Sequence, residues 1–251
     1  MLFIHGIGIG LYPYTNFLGE LAKELENDEV GIIALEIMPV SFRITHSALD
    51  KDTMTREILR IIKHHRWTKF VLVSHSYGSI IAAHLLKSAL ASLYVGPVVF
   101  IDPIAFLLHL PDVTYNFTAR QPVRANEYQL WYFASKDIGV AHTLAKRFSW
   151  NENIIWKEDL GERNVTVVLS GQDLIVDTET VGQYLSSPEG SLTTCKEATT
   201  STRSDAWKRK PWVGSGLEIL WYEHQDHAQV FDWKETRRPM LKAISVYTCE
   251  Q

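Results

Sequence analysis

The sequence predicts an α/β protein: a mostly parallel sheet with helices on both faces. Two observations predict it. Short apolar runs of strand length alternate with segments of helical period, the pattern left by strand–helix–strand crossovers. The chain of 251 residues, 46% hydrophobic and 22% charged, is also long enough to bury one large core as a single domain.

The elements follow in order. Leu2-Phe3-Ile4 reads as a buried strand, closed by His5-Gly6. Phe17, Leu18, Leu21 and Leu25 recur at helical spacing and leave Glu20 and Lys23 for the outer face. Val30–Ile37 predicts the second strand. Ile58, Leu59, Ile61 and Ile62 stripe a helix ending near His64-His65-Arg66, where the helix dipole favours basic residues. Phe70–Val73 is the third strand, followed by a helix rich in Ala and Leu over Ile80–Leu90. Val95–Ile101, Val165–Leu169 and Leu217–Tyr222 supply the remaining strands. A last helix is expected from about Ala228, with Pro239 kinking or ending it.

Two stretches break the alternation. Residues 103–163 are too many for a simple crossover and carry aromatic-rich helical pieces around Trp131-Tyr132-Phe133 and Ile154-Ile155-Trp156. They are expected to form a helical lid, inserted before the strand that leads to Asp173, with 1–102 and 164–251 as the core. Residues 186–216, rich in Ser, Thr, Lys and Gly, read as a mobile surface loop.

A formal net charge of −4 argues against a general nucleic-acid binder, whose footprint is a basic excess. No segment has the uncharged apolar run of a membrane span, and the N-terminus lacks the layout of a signal peptide. The chain as given therefore reads as soluble and compatible with an intracellular location. Met1 falls directly on the first strand, so either this end is minimal or an upstream part lies outside this sequence; membrane association through such a part stays open. Cys195 and Cys249 have no zinc-like spacing, and the sequons at Asn116 and Asn164 are short enough to arise by chance.

The sharpest feature is Val71-Leu-Val-Ser74-His75-Ser76-Tyr77-Gly78-Ser79. A strand feeds a turn with Ser76 at its apex, and a helix begins at once. A nucleophile elbow needs this context, because the turn exposes the hydroxyl and the helix points its positive end at it. The turn requires small residues two before and two after the serine, here Ser74 and Gly78. His5-Gly6-Ile7-Gly8-Ile9-Gly10 closes the first strand and lets backbone N–H groups approach a developing oxyanion. The donors expected are Tyr77 and either Ile7 or Gly8, with His5 bracing the turn. A dinucleotide-binding reading of the same glycines fails on the spacing of the third glycine and on the lack of an acidic partner.

An acid and a base should follow, each at the end of a later strand. Asp173 stands just past Val165–Leu169, and His227 just past Leu217–Tyr222. Asp102, at the end of the fourth strand, competes as the acid. His224 competes as the base but lies closer to its strand, whereas His227 opens the expected last helix.

Together these residues resemble the α/β-hydrolase superfamily in its serine-hydrolase branch. The likeness covers His5–Gly10, Ser74–Gly78, Ser170–Asp173 and Asp226–Gln229, nearly the whole chain, with the lid where that family inserts one. It is nearest to fungal α/β-hydrolase proteins of unassigned substrate, in which segments like Trp131–Leu160 recur. The resemblance implies hydrolysis of an ester, thioester or amide by a Ser76-His227-Asp173 triad, without cofactor or metal, on a small-molecule substrate. Apolar lid residues (Phe106, Leu107, Leu108, Leu110, Tyr128, Trp131, Tyr132, Phe133) lean the substrate towards a hydrophobic acyl group, although packing against the sheet accounts for most of them. The chain departs from the family at Ser74, where glycine is usual. It also lacks the strands that usually precede the oxyanion turn, which leaves a sheet edge in need of cover. The rival reading is a noncatalytic binding or receptor protein that keeps fold and pocket, since fold does not settle function.

Overall fold

A computed structural model describes residues 1–26, 30–187 and 205–249. Among them six strands form one sheet in the order β2-β1-β3-β4-β5-β6, every pair parallel. The strands are β1 Leu2–Ile4, β2 Ile33–Leu35, β3 Phe70–His75, β4 Val95–Ile101, β5 Val165–Ser170 and β6 Leu217–Tyr222. The second is much shorter than Val30–Ile37. It is an edge strand, and only Ile33–Leu35 keep the ladder with Leu2–Ile4.

Parallel strands need covered crossovers, and the helices provide them on both faces. Strand β3 is buried throughout, and its side chains alternate between two cores. Phe70 and Leu72 face α2 (Lys51–His64) and α3 (Gly78–Lys87), while Val71 and Val73 pack with Phe17, Leu21, Ile244 and Tyr247 of α1 (Thr15–Glu24) and the C-terminal helix. Helix α2 is capped by Asp50, which accepts from the Thr53 amide at 2.8 Å.

Residues 103–163 join β4 to β5 through short helical pieces. The longest, α4 (Ile138–Arg147), starts under an Asp137 cap, and π-type turns occupy Tyr115–Ala119 and Trp131–Ser135. Trp131-Tyr132-Phe133 is helical as expected; Ile154-Ile155-Trp156 is not. Ile155 is extended and bridges Phe106 in parallel, so this pair lies buried as a short annex to the sheet. After β5 comes α5 (Thr178–Ser186). The loop expected over 186–216 lies mostly outside the described residues. Its described end, Asp205–Arg209, is a single turn whose Trp207 packs on Gly182.

The last helix, α6, spans Lys234–Cys249. It does not start at Ala228. That residue is left-handed (φ 69°), and a separate turn over Gln229–Phe231 intervenes. Pro239 does not end the helix: it lies inside it, where the missing N–H leaves the Glu235 carbonyl without its i→i−4 donor, and the helix runs on to Cys249. Among the described residues no helix is long and apolar enough to cross a membrane.

Candidate active site

Every candidate residue projects from the C-terminal edge of the sheet, where open α/β sheets place their crevices. Ser76 follows β3 at φ 49°, a left-handed backbone that costs a non-glycine residue about 1–2 kcal/mol. Its surroundings enforce this. The Ser76 amide donates to the Ile101 carbonyl at 3.0 Å, and its own carbonyl accepts from the amide (2.9 Å) and hydroxyl (2.6 Å) of Ser79. The Ser79 oxygen in turn accepts from the amides of Ile104 and Ala105 at 3.1 and 3.2 Å. The turn also needs bare backbone around it. A Cβ on Gly78 would stand 2.4 Å from the Ile4 carbonyl oxygen, and one on Gly6 would stand 2.8 Å from Ser76 Cβ. Position 74 tolerates a side chain because Ser74 still lies in the ladder, level with Ile4 and Phe100. Its buried hydroxyl has no hydrogen-bond partner among the described residues.

Ser76 Oγ lies 2.8 Å from His227 Nε2, and His227 Nδ1 lies 2.7 Å from Asp173 Oδ2. The network assigns the proton on Nδ1 to the bond with Asp173, leaving Nε2 to accept from the serine hydroxyl. Asp173 is itself fixed by its second oxygen, which accepts from the amides of Ile175 and Val176 at 2.7 and 3.0 Å. Asp226 holds the histidine turn, accepting from the amides of His227 (2.7 Å) and Leu174 (3.0 Å). His224 is exposed and joins none of these contacts.

Asp102 is fully buried and does not bond the histidine. Its oxygens accept from the Ser170 amide at 3.1 Å and the Ala228 amide at 2.9 Å, so it staples the ends of β4 and β5 to the turn after His227. Burial pushes its carboxyl up to about 7 against the pull of His227, and Asp173 adds to the rise. Burial alone would lower the His227 pKa. The Asp173 carboxylate and its hydrogen bond outweigh that, with Asp102 and Asp226 adding, and push it up to about 9. Asp102, Asp173 and His227 bring ligand-type atoms within 4.8 Å of one another. Those atoms are already engaged: Asp102 with two amides, and Asp173 with His227. The donor set is built for hydrogen bonding rather than for a cation.

The turn after β1 presents one of the two expected alternatives. The Gly8 amide donates to the Val40 carbonyl at 3.0 Å and is therefore spent, which corrects its candidacy as an oxyanion donor. The amides of Ile7 and Tyr77 donate to no acceptor among the described residues. His5 braces this turn through both ring nitrogens: Nε2 accepts from the Ile37 amide at 2.8 Å and Nδ1 donates to the Gly6 carbonyl. Two supporting residues escape a sequence reading. The Tyr14 hydroxyl accepts from the Gly6 amide at 3.1 Å and lies 2.7 Å from His75 Nδ1. The His75 ring sits 5.3 Å from that of His227. Burial, with His227 and His5 nearby, holds His75 well below the usual imidazole range. His75 falls inside the serine motif, but nothing in its spacing marks it as a prop.

A cavity of about 130 Å³ opens beside Ser76, lined also by Ile7 and Tyr77. Its apolar wall is Ile104, Val113, Phe117, Leu144, Phe148 and Ile175. None of the aromatic and apolar residues anticipated from 106–133 lines it. Phe106 and Leu108 are core, and Tyr128, Tyr132 and Phe133 are exposed. A larger groove of about 660 Å³ lies between α2 and α3, rich in Lys and Arg and remote from all these groups.

Comparison with known proteins agrees with the fold. No curated protein matches the chain. Among solved structures, a bacterial membrane phospholipase A described as a virulence factor superposes with a TM-score of 0.59 at 13% identity, covering 98% of this chain and 78% of its own. A serine hydrolase from the polyaromatic-hydrocarbon-degrading bacterium Cycloclasticus zankles gives 0.58 at 11% identity, covering 98% and 88%. The 2-hydroxy-6-oxo-6-phenylhexa-2,4-dienoate hydrolase of Rhodococcus sp. strain RHA1 gives 0.57 at 13%, covering 96% and 88%. Likeness at such identity speaks for fold alone. The family model described as "Alpha/beta hydrolase family" matches residues 1–244, and the chain belongs to that family.

Proposed function

We propose that the protein is a serine hydrolase that cleaves an ester, or a related thioester or amide, carrying an apolar acyl group. The observation that carries this reading is the continuous chain Ser76 Oγ–His227 Nε2 (2.8 Å) and His227 Nδ1–Asp173 Oδ2 (2.7 Å), set at the mouth of an apolar cavity. In this reading Ser76 Oγ attacks the acyl carbon while its proton passes to His227 Nε2. Asp173 holds the imidazole tautomer and stabilises the imidazolium. The Ile7 and Tyr77 amides, with the N-terminal end of α3, stabilise the oxyanion. His227 then gives the proton to the leaving oxygen, and the ester bond breaks to leave an acyl group on Ser76. Water, deprotonated by His227, attacks that acyl group; the acyl–Oγ bond breaks, His227 returns the proton to Ser76 Oγ, and the acid leaves. Residues 103–163 serve as the lid, since Ile104, Val113, Phe117, Leu144 and Phe148 of that segment wall the cavity.

The test is labelling of purified protein with a fluorophosphonate probe and mapping of the modified residue by mass spectrometry. Modification at Ser76, abolished in Ser76→Ala, is the expected result. Folded protein that does not label at Ser76 would turn the reading towards a noncatalytic ligand-binding pocket.

A further inference from the structure

We propose that the cavity beside Ser76 is an acyl subsite for a short aliphatic or single-ring acyl group, its size fixed by the tie between Asn116 and Ile175. The word acyl rests on the serine-hydrolase reading above; the size rests on geometry. A dry apolar cavity of about 150 Å³ accepts one benzene molecule. The cavity here measures about 130 Å³ and is mostly apolar: Ser76 lines it together with Val113, Phe117, Leu144 and Phe148, and Thr114 and Thr118 add two hydroxyls. One ring or an aliphatic chain of roughly five carbons therefore fills it, and the remainder of a fatty-acyl chain would lie outside it.

Two of its walls, one on the inserted segment and one on the turn after β5, are joined by Asn116. Ile175 belongs to the turn after β5, where Asp173 Oδ1 accepts its amide at 2.7 Å. The Ile175 carbonyl accepts from Asn116 Nδ2 at 3.0 Å. Asn116 is the residue before Phe117, which forms the wall on the inserted segment. One side-chain amide thus clamps the Phe117 wall to the Ile175 wall, and the carboxylate that bonds His227 anchors the far end. Moving the Phe117 wall away from the Ile175 wall to admit a longer chain requires breaking that hydrogen bond. Asn116 does not line the cavity and acts as a positioning residue.

The test has two arms. Wild-type kcat/KM is measured for p-nitrophenyl esters from acetate to dodecanoate and for the benzoate. Ser76→Ala protein is titrated calorimetrically with straight-chain methyl ketones of the same lengths, which needs no catalysis. Affinity should climb about fourfold per methylene, the gain from burying each one, and stop climbing at about five acyl carbons. Asn116→Ala, or Asn116→Asp at constant volume if the alanine variant does not fold, should move that break to longer chains. Phe148→Ala should move it by two carbons or more. A climb that continues through ten carbons, or a break unmoved in folded Asn116 variants, overturns the proposal. A ketone break without Ser76 labelling or ester turnover would keep the pocket and sink the hydrolase reading. Labelling without a break would do the reverse.

Discussion

Asn126 of the inserted segment donates to Asp226 beside His227: its Nδ2 lies 2.8 Å from Asp226 Oδ2. Asp226 uses its other oxygen to hold the His227 and Leu174 amides. The insertion is thereby fastened to the turn that aims the proposed base. The bond is exposed, so its loss should cost only about 0.5–1 kcal/mol of positioning. Asn126→Ala should lower kcat/KM about two- to fivefold, mainly through kcat, while the melting temperature barely changes. Unaltered kinetics would show that Asp226 holds the turn without help.

Ser79 contributes more to stability than its place in the chain implies. It donates to the Ser76 carbonyl and accepts from two buried amides, those of Ile104 and Ala105. Ser79→Ala leaves both amides without an acceptor, at about 1–3 kcal/mol for the first alone. Chemical denaturation should show a loss of about 2–4 kcal/mol. A loss under 1 kcal/mol would mean that the elbow finds another acceptor.

Ser74 makes the opposite case. Its hydroxyl is buried with no partner among the described residues, and the backbone is ordinary strand. Ser74→Ala removes an unpaired polar group and should stabilise the protein by about 1 kcal/mol, or about 2–4 °C in melting temperature. Destabilisation would reveal a hydrogen bond to that hydroxyl.

The pH response follows from His227 and Asp102. On the proposed mechanism His227 must be neutral to act as the base, and its pKa is raised above 6.5 to about 9, so kcat/KM should increase as pH rises across the neutral range. Stability should move the other way. A group whose folded pKa is raised contributes most below its unfolded pKa and loses that contribution as pH climbs through the folded value. His227 loses its share between about 6.5 and 9, and Asp102 its share between 3.8 and about 7. Asp173→Asn removes the main cause of the His227 rise. It should shift the activity limb to lower pH and cut kcat by about 10³–10⁴-fold. Opposed slopes of melting temperature and kcat/KM against pH would bear this out; parallel slopes would not.

The strands and the serine turn are legible because their signals are local: apolar runs fix the sheet, and strand, turn and helix follow one another without a break around Ser76. The pairing of Asp173 with His227 was legible from chain order and strand-end position. The role of Asp102 was not. An acid at a strand end looks the same whether it bonds an imidazole or two amides, and only the fold brings Ala228 to it. The cavity wall is hard to read from sequence for a related reason. Aromatic residues over 128–133 look like pocket material, yet the cavity is walled by Val113, Phe117, Leu144 and Phe148, whose facing depends on how short helical pieces are tied together. The start of α6 is not legible, because the left-handed position 228 is an alanine and no glycine announces the break before Lys234.

Ser76 and His227 stand 151 residues apart, one after the third strand and the other after the sixth. No short part of the chain holds both, and the strands between them must be in register before the 2.8 Å bond can form. The reactivity of one hydroxyl is thus a report on the whole sheet. During refolding, gain of probe labelling at Ser76 should trail the recovery of helical signal and coincide with the burial of Asp102. A covalent probe for this serine would then time the last step of folding as well as the first step of chemistry.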